Sequence, residues 1–187
     1  LGDELRLGSD EDYAEAFREL FTEAVRCRLR SAFPVGSMLS GGLDSSAITC
    51  VARELLAGAK RPPLHTFSTV FESNGIPECD ERAYIKAVVD QGELADHYVI
   101  SDELNPLTDI DRVLWHEDEP IWETNLFLTW ALCKSAQQAG NRVLLNGGGG
   151  DLTLLTGPLC LSDFASRGRW IRLLAEAQAL AKYNGGS

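Results

Sequence analysis

Val35-Gly-Ser-Met-Leu39 runs straight into Ser40-Gly-Gly-Leu-Asp-Ser-Ser46, and Ala47-Ile-Thr-Cys-Val-Ala52 follows. The first five residues read as a short buried strand. Beyond the glycines, Ile48, Val51, Ala52 and Leu55 recur at helical spacing. Strand, glycine turn and helix in that order begin a βαβ unit, and the rest of the chain repeats the alternation. Upstream, Ser9 can cap a helix with Asp10, Glu11 and Asp12 in its first turn. Tyr13, Phe17, Leu20, Ala24 and Cys27 fall on one face of it, expected inward, and Pro34 ends the segment. Downstream, RPP (61–63) makes a turn and LHTFSTVF (64–71) is rich in β-formers, the second strand. ESNGIPE (72–78) is a loop, and Asp80 opens a helix through Tyr84, Ile85, Val88 and Val89. HYVI (97–100) is the third strand. Asn105 and Pro106 start a helix carrying Leu107, Ile110, Val113 and Leu114. HEDEPIWETN (116–125) is a polar, Pro-interrupted loop. A helix over 126–139 stops at Gly140, and VLL (143–145) is the fourth strand. The last helix, 168–183, should turn Trp170, Leu173, Leu174, Ala177 and Ala181 inward.

This pattern predicts an α/β fold, a parallel sheet with helices on both faces. Ligands in such sheets bind beyond the carboxyl ends of the strands, where strand order reverses. Two loops stand at strand ends: SGGLDSS (40–46) and NGGGGD (146–151). If the first and fourth strands are neighbours, both loops meet in one crevice.

The totals fit one domain over residues 1–187, with 44% hydrophobic and 24% charged residues. No apolar run approaches the ~20 residues of a membrane span. The N-terminus is polar and acidic, unlike a signal peptide, and lacks a starting Met. The expectation is a cytoplasmic piece of a longer protein. A formal charge of −11 argues against a nucleic-acid partner. The basic cluster Arg26-Cys-Arg-Leu-Arg30 reads as cations facing the end of a helix. The five cysteines are odd in number and show no C-x-x-C spacing, so reduced thiols are expected. The three histidines are scattered and read as structural.

The chemistry concentrates in SGGLDSS. Gly41 and Gly42 let backbone N–H groups approach a ligand, and Ser40, Ser45 and Ser46 add hydroxyls. A helix starting near Asp44 points its positive end at an anion. Asp44 cannot itself meet phosphate, so a bridging Mg²⁺ is expected. There is no Lys for G-x-x-x-x-G-K-[ST], and no G-x-G-x-x-G.

PVGSMLSGGLDSSAITCVA (34–52) resembles the pyrophosphate loop of the asparagine synthetase family within the ATP-pyrophosphatase superfamily. HTFSTVF, DERAY (80–84), Asp118-Glu-Pro120 and VLLNGGGGD (143–151) resemble the same family in order. The resemblance covers residues 13–157. It implies an adenine nucleotide alpha hydrolase-like (HUP-like) fold. It also implies ATP-dependent amide formation through an acyl-adenylate: aspartate plus ammonia giving asparagine, AMP and pyrophosphate. By motif, Ser40, Gly41, Gly42, Asp44, Ser45 and Ser46 would hold pyrophosphate and Mg²⁺. Leu39 and Thr69 would present backbone to adenine, and Asn146 and Gly147 would contact the nucleotide. Asp151 would join Asp44 as a catalytic Mg²⁺ carboxylate, and Asp118 would lie near the substrate. An N-terminal glutaminase domain or subunit is the implied partner, with small carboxylate and amine substrates.

The second loop departs from the family pattern S-G-E-G-[AGS]-D-E. Gly148 stands where an acid that orients or deprotonates the attacking amine is expected, and Leu152 replaces a second acid. The glutaminase domain and later helices with a catalytic Lys lie outside the chain. Related macrolactam- or β-lactam-forming synthetases share the loops. A degenerate, non-catalytic nucleotide-binding domain is the rival reading. A tRNA-modifying enzyme would need a basic face. Asp80-Glu81 reads by default as a helix N-terminal pair, and Trp115, Trp122 and Trp130 as core or interface. An apolar face left open by missing helices would favour a homodimer.

Overall fold

The computed structural model of the protein describes residues 5–72, 80–117, 125–150 and 157–184. The chain divides into two units, Leu1–Gly147 and Gly148–Ser187.

The first unit is built on four strands: β1 (Val35–Met38), β2 (Leu64–Val70), β3 (Leu94–Ile100) and β4 (Val143–Leu145). Their order is β3-β2-β1-β4 and every pairing is parallel. From β1 the chain steps outward through β2 to β3, then returns to place β4 on the opposite side of β1. Strand order therefore reverses between β1 and β4, and the two glycine loops leave neighbouring strands as the sequence suggested.

Side chains alternate across the sheet. Val35, Leu64 and Leu145 face α1 (Asp10–Arg28) and α2 (Leu43–Gly58), forming a core with Val25, Leu29, Ala52 and Leu56. A second cluster joins Leu39 to Ile85 and Val88 of α3 (Arg82–Val89). Each Val, Leu or Ile among them, fully buried, contributes roughly 1.5–3 kcal/mol. On the opposite face, α5 (Leu126–Gln138) packs against β2 and β3 and also meets α4 (Ile110–Glu117). Phe67 is fully buried there. Helices thus cover both faces, as expected.

Several local expectations are corrected. Ser9 does cap α1, accepting from the Asp12 N–H at 3.2 Å. The buried side of α1, however, is Phe21, Val25 and Leu29, while Tyr13, Phe17 and Leu20 are exposed. The helix carries two apolar stripes, and the one that meets α2 is set by tertiary packing. Strand β3 begins at Leu94 rather than His97, because pairing with Leu64–Thr66 recruits Leu94-Ala95-Asp96 despite weak β propensity. Helix α4 begins at Ile110, not near Pro106. Residues 105–108 form a turn in which the Asn105 N–H donates to Thr108 Oγ1 and the Leu107 N–H to Asn105 Oδ1, both at 3.0 Å. Asp109 then takes φ +57° and interrupts the helical path.

The second unit contains α6 (Gly157–Ser166) and α7 (Trp170–Asn184), which pack on each other. Leu173, Ala177 and Leu180 are the shielded line of α7. Trp170 and Leu174, expected inward, are 60% and 62% exposed, and Ala181 is exposed as well.

Candidate functional site

The SGGLDSS loop leaves β1 at the switch point and is tied down at both ends. At its entry, the Leu39 N–H donates to Phe67 O at 2.9 Å, extending the ladder one residue past β1. The Leu39 carbonyl accepts from Ser68 Oγ at 2.6 Å. At its exit, Ser45 Oγ, buried in the first turn of α2, accepts from the Ser40 N–H at 3.2 Å and donates to Gly42 O at 3.1 Å. Ser40 Oγ lies 3.0 Å from Ser45 Oγ and accepts from the Gly42 N–H at 3.3 Å. The loop is thus shaped by its own hydroxyls. Below it, Ser37 Oγ meets Thr49 Oγ1 at 3.0 Å and fixes α2 against β1.

Gly42 is the N-cap of α2, and no side chain caps that helix. The Ser46 N–H makes the first helical bond, to Gly42 O at 3.0 Å. The preceding N–H groups have no partner within the helix and point outward with the positive end of its dipole. Phosphate fits such a place. Asp44, half-buried in the same turn, puts a carboxylate beside it. Anionic phosphate and carboxylate share a site when a cation lies between them, which is the fit for Mg²⁺. Among the described residues no group of three or more His, Cys, Asp or Glu converges as a metal site. Asp44 and the neighbouring hydroxyls are therefore what this unit offers such an ion.

Two glycines set the walls. Gly41 has φ +89°, and a Cβ there would stand 2.9 Å from Tyr84 Cβ and 3.2 Å from Glu81 O. It lets the loop lie on the start of α3. Gly147, two residues past β4, would carry a Cβ 2.9 Å from Asp44 Cβ and 3.1 Å from the Ser45 N. Gly147 therefore rests directly on the first turn of α2. At these two positions the missing Cβ also permits close contact between chain segments. Thr69 is half-buried as the penultimate residue of β2, and Asn146 is exposed directly after β4. Asp118 and Asp151, expected near the substrate and the metal, lie outside the described residues, as does Trp122.

Asp80 is engaged elsewhere. Its carboxylate accepts from Arg82 Nε and Nη2 at 2.8 and 2.7 Å, and these bonds hold its pKa down to about 2. It acts as a turn-forming ion pair ahead of α3, as the default reading had it.

A groove of about 1240 Å³ opens on the α5 side of the sheet. Met38 and Asn146 line it where it adjoins the ends of β1 and β4, and Trp115, Trp130, the acid Asp111 and three cations, Arg112, Lys134 and Arg142, are among the residues farther along. Asp109 receives Lys134 Nζ at 2.7 Å and Trp130 Nε1 at 3.1 Å, which tie α5 to the start of α4. The Lys134 bond is the main reason the Asp109 carboxyl titrates below its usual range. Arg142 stacks over Phe33 at 4.5 Å. Sequence spacing carried no signal for this groove or for Ser68, since both arise from elements distant in the chain.

A family model for asparagine synthase matches residues 16–183, a span that includes parts of both units. A putative glutamine-hydrolysing asparagine synthetase 2 of Methanocaldococcus jannaschii is 39% identical over 137 residues, covering 73% of this chain and 25% of that protein. The glutamine-hydrolysing asparagine synthetase 1 of Bacillus subtilis is 32% identical over 142 residues, covering 76% and 21%. Amidase chyE of Penicillium rubens is 25% identical over 152 residues, covering 76% and 22%. The chain spans a quarter or less of the length of these relatives.

Proposed function

From the premise that the chain belongs to the asparagine synthase family, we propose that it is the ATP-handling part of an AMP-forming amide ligase. The reaction is activation of a carboxylate, aspartate in the closest reading, as its acyl-adenylate with loss of pyrophosphate. Attack by ammonia then gives the amide and AMP. The observation that supports this best is the close approach of Gly147 to Asp44 and Ser45, beside the strands between which strand order reverses.

In this reading Ser40, Gly41, Gly42, Ser45 and Ser46 cradle pyrophosphate. Leu39, Thr69, Asn146 and Gly147 border the nucleotide. Asp44 and Asp151 hold Mg²⁺, which when bound supplies charge neutralisation for the phosphates. The Leu39 N–H is committed to Phe67 and its carbonyl already accepts from Ser68, so its contribution to adenine is through the carbonyl's remaining lone pair. The acid substrate occupies the groove beside Asn146, where Arg112 and Arg142 favour a carboxylate while Lys134 is paired with Asp109. Asp118 is assigned to the substrate by the resemblance of its motif alone. A glutaminase domain or subunit supplies the amine, the setting is cytoplasmic, and nucleic acid is not a partner. Among the described residues no helix is long and apolar enough to cross a membrane. Exposed Trp170, Ile171 and Leu174 on α7 favour a homodimer, which light scattering on this chain reads directly.

One feature favours a second reading. Gly148 removes the acid expected to act on the amine, which points to a nucleotide-binding domain without the second half-reaction. Calorimetry of Mg-ATP with this chain, beside Asp44→Ala and Ser40→Ala, tests the shared core of both readings. Binding by the parent chain and loss in the variants supports it. Absence of binding by the parent chain removes it. Formation of AMP but no amide by the longer protein separates the second reading from the first.

A further inference from the structure

We infer that Ser68 is a positioning residue for the nucleotide loop, an inference that rests on the assignment of SGGLDSS to nucleotide. Ser68 is 2% exposed, sits on β2 and touches nothing that reacts. Its hydroxyl donates to the Leu39 carbonyl at 2.6 Å. Leu39 is the last residue before the loop, and its N–H is already held by Phe67 O. Neighbouring strand β2 therefore grips Leu39 by both its backbone groups. Because the Leu39 carbonyl and the Ser40 N–H belong to one planar peptide, fixing the first aims the second. The Ser40 N–H is the group that reaches Ser45 Oγ and closes the loop onto α2.

This hydrogen bond is not a default of buried hydroxyls on that face. Thr66, two residues earlier on the same side of β2 and 1% exposed, has an Oγ1 with no partner among the described residues. Ser37, equally buried and across from Thr66, bonds Thr49 Oγ1 and anchors the body of α2 rather than the loop. Ser37→Ala is thus a control that removes a buried hydroxyl bond without touching Leu39.

The test is amide hydrogen exchange at Ser40 and Gly42 in this chain, with Mg-ATP calorimetry alongside. Ser68→Ala and the nearly isosteric, weakly donating Ser68→Cys should both speed exchange at these amides by about tenfold, the order of one lost hydrogen bond. They should weaken Mg-ATP binding by a similar factor, while Ser37→Ala lowers the melting temperature and leaves both readings near the parent. Unchanged exchange in the Ser68 variants overturns the inference. So does equal acceleration by Ser37→Ala, which would mean general loosening. Parental behaviour of Ser68→Cys beside a defective Ser68→Ala also overturns it, since volume rather than the bond would be at work. If the parent chain fails to bind Mg-ATP, the nucleotide assignment falls by itself, and the exchange rates still decide whether Ser68 sets the loop.

Discussion

Gly147 lies so close to Asp44 that a methyl group on it would stand 2.9 Å from the Asp44 Cβ, with the Ser45 N at 3.1 Å. Both neighbours belong to the first turn of α2, so neither can swing aside as the end of a long side chain would. Gly147→Ala should push the second loop away from the Asp44 turn. Overpacking of this kind costs roughly 1–3 kcal/mol. The expected result is a lowered melting temperature and a larger loss of Mg-ATP affinity than the melting temperature alone explains. Parental affinity in Gly147→Ala would sink the view that this contact builds the crevice.

Gly41 meets a different obstacle. Its φ of +89° disfavours any side chain, and its added Cβ would strike Tyr84 Cβ together with the Glu81 O and Ile85 N of the α3 start. Gly41→Ala should destabilise by roughly 1–3 kcal/mol from backbone strain alone. Truncating the neighbour should not help, because Tyr84→Ala keeps the offending Cβ and leaves the α3 backbone in place. Urea unfolding of the single and double variants checks this. Recovery of stability in Gly41→Ala/Tyr84→Ala would show that the tyrosine ring, not the helix start, is the barrier.

The sequence made the sheet and the first loop legible because their signals are local. Ser9 with three acids reads as a cap, and VGSML before SGGLDSS reads as strand and turn. Adjacency of the first and fourth strands is only a condition in the sequence, and the strand order β3-β2-β1-β4 meets it. What stayed hidden depends on partners far along the chain. Either apolar stripe of α1 satisfies helical periodicity, and only contact with α2 selects Phe21, Val25 and Leu29. Asp109 breaks the helix before Ile110 with a left-handed conformation braced by Lys134 and Trp130, some 20 residues later in sequence. The roles of Gly41 and Gly147 are invisible until α3 and α2 are placed beside them. Asp118 and Asp151 remain assignments from motif likeness.

His65 Nδ1 lies 2.9 Å from His97 Nε2, and the two rings stack with Phe67. Burial first, and then the neighbouring His97, lower the pKa of His65 below 6.5. The unfolded chain therefore binds its proton at a higher pH than the folded chain does. Folding stability from this site is full above the unfolded pKa and falls as pH drops below it, towards the lowered folded value. Urea midpoints should decline between about pH 7.5 and pH 5.5, the range in which an unperturbed histidine takes up its proton. His65→Gln should flatten the decline. An unchanged slope in that variant would assign the pH dependence to other groups.

Gly148 stands where the family pattern has an acid, and its backbone, unlike that of Gly149, is not left-handed. The left-handed glycines among the described residues are Gly41, Gly92, Gly140, Gly149 and Gly168, so the strained position of this loop is Gly149, at φ +83°. A side chain at 148 meets no such backbone penalty, whereas one at 149 does. Gly148→Glu should therefore leave the melting temperature near the parent, and Gly149→Glu should lower it by the equivalent of roughly 1–2 kcal/mol. In the longer protein, Gly148→Glu should raise the yield of amide per AMP if the missing acid limits attack by the amine. If AMP forms at the parental rate and the amide yield stays unchanged, the step is limited elsewhere. A nucleotide-binding domain that has lost more than one acid would then be the better description.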